Sequence, residues 1–201
     1  MSSKTELNNK PRSNKLPTVL SLEEQKALLD VPNLKTPTGL RNYCMMLMFL
    51  NLGLRVGEAL SLKVSDIDWN TGKLNVIAGK GNKDRVLWLS DNDLAKLQLW
   101  RDKMPGNSAY LFCTLEGGPI IDRYVRAFIK RYTRRAGINK RVHPHCLRHS
   151  FATDLLHDSK NIRLVQKALG HASLATTMIY THIADDQLES ALKQFREGST
   201  K

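Results

Sequence analysis

The sequence predicts an α+β fold that is mainly α-helical and carries one small, three-stranded antiparallel sheet. Apolar residues recur at helical spacing along most of the chain, which indicates amphipathic helices. Only the central region 66–89 changes to the shorter spacing of strands, and it is interrupted by two turn-forming sequences. A length of 201 residues with 41% hydrophobic residues is sufficient for one globular domain with tails.

The N-terminal part combines a polar stretch with a helical region. Residues 1–18 are polar, basic and contain proline, so we expect a flexible basic linker or arm. Ser21 and Glu24 form a capping-box pattern that starts the first helix. A longer apolar helix is predicted over 38–52, and a short helix over 56–62 follows it.

The middle of the chain is predicted to form the sheet. Its three strands are expected at 66–69, 73–77 and 85–89, separated by turns at 70–72 and 79–83.

The remaining sequence is predicted to be helical and ends in a separate C-terminal helix and tail over 183–201. The segment 121–136 is amphipathic, with an apolar face opposite a basic one, and Gly137 stops it. The predicted helices cover 91–104, 121–136, 144–157, 161–169, 174–181 and 185–198.

Charge gives the first indication of function. The chain has 31 Lys and Arg against 19 Asp and Glu, a net charge of +12, which favours a polyanionic partner such as nucleic acid. The alternative is a protein that is basic only for solubility. The clustering of eight basic residues, without an acid among them, favours nucleic acid. They are Arg123, Arg126, Lys130, Arg131, Arg134, Arg135, Lys140 and Arg141.

Other function classes are disfavoured. Cys44, Cys113 and Cys146 form no CxxC pair, which argues against a disulfide framework and against a zinc site. The longest apolar stretch is too short to span a bilayer, and no apolar signal segment follows Met1. We therefore expect a soluble, cytoplasmic protein.

Five motifs in a fixed order carry a family resemblance. Together they resemble the tyrosine recombinases of the phage-integrase type, especially the Xer-like branch, and the resemblance covers roughly residues 20–182. The motifs are Leu-Gly-Leu-Arg-Val-Gly-Glu at 52–58, Gly-Lys-Gly-Asn-Lys at 79–83, Pro-His-Cys-Leu-Arg-His at 144–149, Leu-Gly-His at 169–171, and Tyr180 nine residues later.

The resemblance implies a catalytic domain over 19–182 that cuts and rejoins DNA. Arg55 and Arg148 would hold the scissile phosphate, which suits guanidinium groups that bind phosphate oxygens bidentately. Tyr180 would attack phosphorus and form a 3′-phosphotyrosyl link, without a metal or cofactor. His145 would help to deprotonate the tyrosine or bridge the phosphate, and His171 would donate a hydrogen bond to a phosphate oxygen.

The resemblance also implies a general acid and an orienting carboxylate. Lys80 would protonate the leaving 5′-oxygen, and Lys83 is the competing candidate. Glu58 would orient a cationic side chain, with a plain surface acid as the alternative. The sequence leaves three other histidines with a structural or supporting role: His143, His149 and His182.

The implied partners are double-stranded DNA and other recombinase protomers. Lys83, Arg85 and the eight clustered basic residues are the expected DNA contacts. The family suggests a tetramer on synapsed DNA, with a monomer as the alternative state without DNA, and the helix in 183–201 docking in trans. The N-terminal DNA-clamping domain of such enzymes is expected to be absent, because residues 1–18 are too few for it. A nucleoid-associated location follows from DNA binding. The alternatives are a non-catalytic DNA-binding module and a type IB topoisomerase-like activity.

Overall fold

The computed structural model describes residues 17–77, 84–171, 173 and 177–180. This part of the chain is mainly helical with one small antiparallel sheet, which confirms the predicted fold class. Single-turn 3-10 helices cover Val64–Asp66 and Met178–Tyr180. The larger elements are α1 (Leu22–Leu29), α2 (Pro37–Asn51), α3 (Val56–Ser61), β1 (Lys73–Val76), β2 (Arg85–Trp88), α4 (Asp91–Arg101), α5 (Asp122–Arg135), α6 (Pro144–Ser159) and α7 (Ile162–Leu169).

Helix α2 is the centre of the main hydrophobic core. Thr36 caps its N-terminus by accepting a hydrogen bond from the Gly39 amide at 3.1 Å, and Pro37 occupies its first turn. Every residue from Cys44 to Leu50 is buried. A helix that is apolar on all sides is stable only when other elements surround it, and α2 packs against α4 and α6.

Within the described residues the sheet has two strands, so the prediction of three was wrong in one place. Strands β1 and β2 pair antiparallel, with Leu74 opposite Leu87. In the predicted third strand only Ile67 pairs, as an isolated bridge to Leu74. The carboxylate of Asp66 accepts a hydrogen bond from the Lys63 amide at 2.8 Å, and this contact favours a turn over an extended strand.

A buried polar cluster joins α2 to α5. Arg41 donates hydrogen bonds to the Cys113 carbonyl at 2.8 Å and to the Tyr124 hydroxyl at 2.6 Å. Asn42 donates to the Tyr132 hydroxyl at 3.2 Å. Because buried polar groups are costly when unpaired, these contacts fix how α5 lies on the core.

A second, smaller apolar cluster lies between α6, α7 and the last 3-10 turn. Its buried members are Ala152, Leu156, Val165, Leu169 and Tyr180. The turn at Met178–Tyr180 is the described part of the helix predicted over 174–181, and the helix predicted over 185–198 lies outside the described residues. Within the described ranges, no helix has the length and apolar character needed to cross a membrane.

Candidate functional site

The backbone around Gly53 brings α3 close to α6. Gly53 has a φ of 60°, and a Cβ atom at this position would lie 2.3 Å from Cδ1 of Phe151. A glycine is therefore required both for the backbone conformation and for the space. The Gly53 carbonyl accepts a hydrogen bond from Nη1 of Arg148 on α6, which links the first motif to the third.

Glu58 is the buried centre of a cluster of arginines. Its side chain is 6% exposed, and both of its oxygens accept hydrogen bonds from Arg85 at 2.9 Å. Arg55 adds a 2.9 Å bond from Nη1 and a 2.7 Å bond from its backbone amide. Nη1 of Arg148 lies 3.8 Å from the same carboxylate.

This cluster keeps an excess of positive charge. Burial alone raises the pKa of Glu58, but the hydrogen bonds from Arg85 and Arg55 outweigh that effect and lower the pKa to about 2. One ionised carboxylate therefore faces three guanidinium groups. Burial, followed by the charge of Arg55, lowers the pKa of Arg148 to about 9, which leaves it cationic at neutral pH. Such a site favours an anion.

Arg148 connects the arginine cluster to the third and fourth motifs. Its side chain is 6% exposed, and Nη2 donates a 2.7 Å hydrogen bond to the Leu169 carbonyl. The same nitrogen lies 3.2 Å from Nε2 of His171. Because a guanidinium can only donate, Nε2 of His171 is the acceptor, and its Nδ1–H donates to the Thr177 hydroxyl at 3.0 Å.

Tyr180 lies at the edge of this arrangement and is held by a histidine of α6. Its hydroxyl oxygen is 2.5 Å from Nδ1 of His149, and the residue is 1% exposed. Burial raises the pKa of Tyr180 to about 12, although the charge of Arg148 acts in the opposite direction. In this position the tyrosine is a neutral phenol at pH 7.

The two histidines that contact the 177–180 turn are also neutral at pH 7. Burial, followed by the charges of His145 and Arg148, lowers the pKa of His149 to about 4. Burial, followed by the charges of Arg148 and Arg55, lowers the pKa of His171 to about 4. Since the phenol is the stronger acid of the two neutral groups, Tyr180 donates and Nδ1 of His149 accepts.

The structure brings together most of the predicted site residues that it describes. Arg55, Glu58, Arg148 and His171 form one connected group. His145 is exposed on α6, its ring centre 6.1 Å from that of His143, and within the described residues no hydrogen bond joins it to Tyr180. Three other predicted or considered residues lie outside the described part of the chain: Lys80, Lys83 and His182.

Sequence reasoning gave His149 only a structural or supporting role and did not identify Thr177. A signal for His149 was present, because it lies four residues after His145 and one after Arg148 on the same helix. Contacts between this helix and the distant 177–180 turn are not readable from the sequence.

We expected Arg85 to contact DNA, and its burial corrects this prediction. Its side chain is only 5% exposed and is committed to Glu58. Its Nε also donates a 2.7 Å hydrogen bond to the Ala168 carbonyl at the end of α7. Gly170 has a φ of 64° and lies against this side chain, where a Cβ would be 3.1 Å from Cδ of Arg85. Arg85 is therefore a buried support of the site.

The other predicted basic contacts lie on the surface. All eight clustered residues of 123–141 are exposed, and five of them line a hollow of about 600 Å³ beside α5. Lys140 is partly neutralised, because Nζ contacts the Glu24 carboxylate at 2.6 Å and the Val19 carbonyl at 3.0 Å. The five residues are Arg126, Lys130, Arg134, Lys140 and Arg141.

Solved structures share this architecture. The fold matches the catalytic domain of bacteriophage HP1 integrase with a TM-score of 0.63 and 26% identity, covering 88% of this chain and 94% of that domain. It matches XerH site-specific recombinase, bound to palindromic difH substrate in a post-cleavage complex, with a TM-score of 0.78 and 34% identity. That match covers 94% of this chain and 56% of XerH.

Sequence comparison leads to the same class. The family model described as "Phage integrase family" matches residues 18–187, and the chain belongs to this family. Tyrosine recombinase XerC of Xanthomonas campestris pv. campestris (strain B100) is 41% identical over 170 residues, which cover 84% of this chain. The matched region is 52% of that relative, so the chain spans about half its length.

Proposed function

We propose that this chain is the catalytic part of a site-specific DNA recombinase, with Tyr180 as its nucleophile. The observation that carries the proposal is the convergence of Arg55 and Arg148 on one buried carboxylate, with His171 in contact with Arg148. Tyr180 lies next to that group, because Thr177, which begins its turn, contacts His171. An excess of guanidinium charge beside a tyrosine hydroxyl suits attack on a phosphodiester.

The proposed step exchanges one phosphodiester for another. The Tyr180 oxygen bonds to phosphorus and gives its proton to His145 or to water, while the bond from phosphorus to the 5′-oxygen breaks and that oxygen takes a proton from the general acid. Arg55 and Arg148 stabilise the charge of the pentacoordinate transition state. His145, which is exposed and on the same face of α6 as Arg148, would contact the phosphate or the phenol proton. The reverse attack by a 5′-hydroxyl rejoins the strand, so no external energy source is needed.

His171 would donate a hydrogen bond to a phosphate oxygen only after a change in the site. In the structure its Nε2 accepts from Arg148, and a phosphate oxygen needs a donor. Binding of the phosphate by Arg148 would free Nε2, and a tautomer shift that moves the ring proton from Nδ1 to Nε2 would make Nε2 a donor, while the Thr177 hydroxyl would donate to Nδ1. This rearrangement belongs to the proposed DNA-bound state.

The DNA partner is supported by charge and by one relative. The exposed basic residues of 123–141 give α5 and the segment after it a positive surface. XerH is described as bound to its difH substrate. We expect charge removal at Arg126 together with Lys130 to weaken DNA binding and to reduce its dependence on salt.

A suicide substrate tests the nucleophile. The full chain is incubated with a degenerate pool of nicked DNA duplexes, and adducts that survive denaturation are separated and counted for wild type and Tyr180→Phe. We expect adducts from wild type and none from Tyr180→Phe, because phenylalanine has no attacking oxygen. Equal adducts from both would exclude Tyr180 as the nucleophile.

Two alternatives have their own outcomes. DNA binding by wild type without adducts would favour a non-catalytic DNA-binding module. Relaxation of supercoiled plasmid without recombinant products would favour a type IB topoisomerase-like activity.

The general acid is proposed to be Lys80, with Lys83 as the competitor. Lys80→Ala and Lys83→Ala are compared on ordinary DNA and on DNA whose leaving 5′-oxygen is replaced by sulfur, which leaves without a proton. The variant that is slow on ordinary DNA and normal on the sulfur substrate identifies the acid. Slow cleavage of both substrates by Lys80→Ala would contradict the assignment.

The remaining proposals concern assembly and location. We propose that protomers assemble as a tetramer on synapsed DNA, and that residues 183–201 dock on a neighbouring protomer. A cytoplasmic, nucleoid-associated location follows from the proposed DNA substrate. Light scattering with and without DNA, for the full chain and for a variant ending at residue 182, tests the assembly.

A further inference from the structure

The contact between His149 and Tyr180 has no role in the step described above. His149 lies on α6, and its Nδ1 is 2.5 Å from the Tyr180 hydroxyl oxygen. The ring planes are tilted by 54°, with centroids 5.8 Å apart, so the contact is made by the polar atoms and not by stacking. His149 is therefore the described group that touches the attacking oxygen.

The position of Tyr180 prevents attack. The residue is 1% exposed and belongs to the small apolar cluster with Leu156, Val165 and Leu169. A phosphorus atom must come within about 3–3.5 Å of the attacking oxygen. DNA cannot approach a covered hydroxyl, so the tyrosine has to leave this position before it reacts.

We propose that His149 is a positioning residue that keeps the hydroxyl of Tyr180 docked in the DNA-free protein, so that attack on DNA begins with the loss of this hydrogen bond. The inference rests on the proposed role of Tyr180 as the nucleophile. The proton of the phenol stays on Tyr180 while the residue is docked, because Nδ1 of His149 only accepts it as a hydrogen bond.

A second contact explains how substrate would release the docked turn. The turn is held at its other end by the bond from His171 to Thr177, and His171 is itself held by Arg148. A phosphate that binds Arg148 competes with the contact to His171. Its arrival therefore weakens one end of the turn, while the bond to His149 still holds the Tyr180 hydroxyl.

An alternative role for His149 is proton acceptor during the attack itself. Two substitutions separate the alternatives. His149→Asn keeps an acceptor near the position of Nδ1 but cannot take up a proton, whereas His149→Phe keeps a ring and removes the acceptor. Asparagine can therefore substitute for histidine in a positioning role, but it cannot substitute for a proton acceptor.

The first measurement uses the full chain without DNA. Nitration by tetranitromethane is followed at each tyrosine by peptide mapping, with half-buried Tyr110 as the reactive reference and buried Tyr132 as the monitor of folding. We expect Tyr180 to be protected in wild type and in His149→Asn. In His149→Phe its rate should rise about tenfold, the change that loss of one hydrogen bond supports. Nitration of Tyr132 in His149→Phe would show that this variant is unfolded, and His149→Leu would then be used instead.

The second measurement follows adduct formation on saturating nicked DNA. We expect His149→Phe to form adducts about three- to tenfold faster than wild type, because its tyrosine is released at lower cost. His149→Asn should stay close to wild type. Slower reaction of both variants would overturn the proposal in favour of a proton acceptor, and unchanged protection of Tyr180 in His149→Phe would overturn it outright.

The two measurements separate this inference from the proposed function. If wild type binds DNA but forms no adduct, the role of Tyr180 as nucleophile fails. The nitration result still decides whether His149 docks the tyrosine.

Discussion

The two halves of the candidate site are held by different physical means. Around Glu58, ionised groups make hydrogen bonds of 2.7–2.9 Å in a buried position. Around Tyr180, neutral groups make the contacts, through His149 on one side and the His171–Thr177 pair on the other. The first half is fixed by charge, and the second by ordinary hydrogen bonds and apolar packing.

This difference suits the two tasks that we propose. Breaking a buried charged contact leaves an uncompensated charge and costs much more than breaking a neutral hydrogen bond. The arginines that would receive a phosphate are therefore held in place before DNA arrives. The turn that carries Tyr180 is held weakly enough to be released.

The largest expected effect comes from removing the charge at the centre of the first half. Glu58→Gln leaves Arg85 buried without a counter-charge, and we expect a loss of about 3–5 kcal/mol in the free energy of unfolding. Urea denaturation measures it. Glu116→Gln, at an exposed position, is the control and should change little. A loss in Glu58→Gln no larger than in this control would mean that the cluster is not held by charge.

As the pH falls, the Tyr180 half of the site should lose its contribution to stability before the Glu58 half does. His149 and His171 have pKa values of about 4 in the folded protein, below the ordinary value of 6.5. The unfolded chain therefore binds more protons, so stability is full above about pH 6.5 and falls as the pH approaches 4. Glu58, with a pKa of about 2, retains its contribution above about pH 4.5 and loses it only as the pH falls towards 2.

Between about pH 6.5 and pH 4.5 the loss of stability should come from the histidines. His143 and His145 contribute to this loss, because burial also lowers their pKa values. Unfolding free energies at about pH 7 and about pH 5 are compared for wild type and a His149→Asn, His171→Asn double variant. We expect a smaller acid loss in the double variant. His157→Asn, at an exposed position, is the control and should behave as wild type.

The smallest expected effect comes from the hydrogen bond that Thr177, at the start of the Tyr180 turn, makes with His171. Thr177→Val removes the acceptor of the His171 Nδ1–H bond, and we expect a loss of about 1 kcal/mol in the free energy of unfolding. Thr18→Val, at an exposed position, is the matched control. A loss as large as that in Glu58→Gln would show that the turn is not weakly held.

The sequence predicts the structural elements that depend on a local pattern of residues. The capping box at Ser21 and Glu24 forms as expected, with bonds of 2.8 and 3.2 Å, and the apolar spacing located α2 within one residue of each end. The motif resemblance also groups Arg55, Arg148 and His171, which lie together in the structure. These features depend on residues within a few positions or on a matched order of motifs.

The failures at Arg85 and His149 have a common cause, since each depends on a contact between residues that are distant in the sequence. In β2 the inward positions belong to Arg85 and Leu87, whereas Val86 and Trp88 face outwards. An arginine in a strand is usually exposed, and its partner Glu58 lies 27 residues away. The role of His149 likewise depends on a tyrosine 31 residues further on.

Tyr180 belongs to the small apolar cluster as much as Leu156 or Leu169 does. In the proposed reaction the protein would give up part of this packing each time the tyrosine moves to DNA. Substitutions that fill the cluster more tightly should therefore raise the melting temperature and lower the turnover number together. Attempts to make this protein more heat-resistant would do better to change the contacts between α2 and α4, which lie outside the cluster of Tyr180.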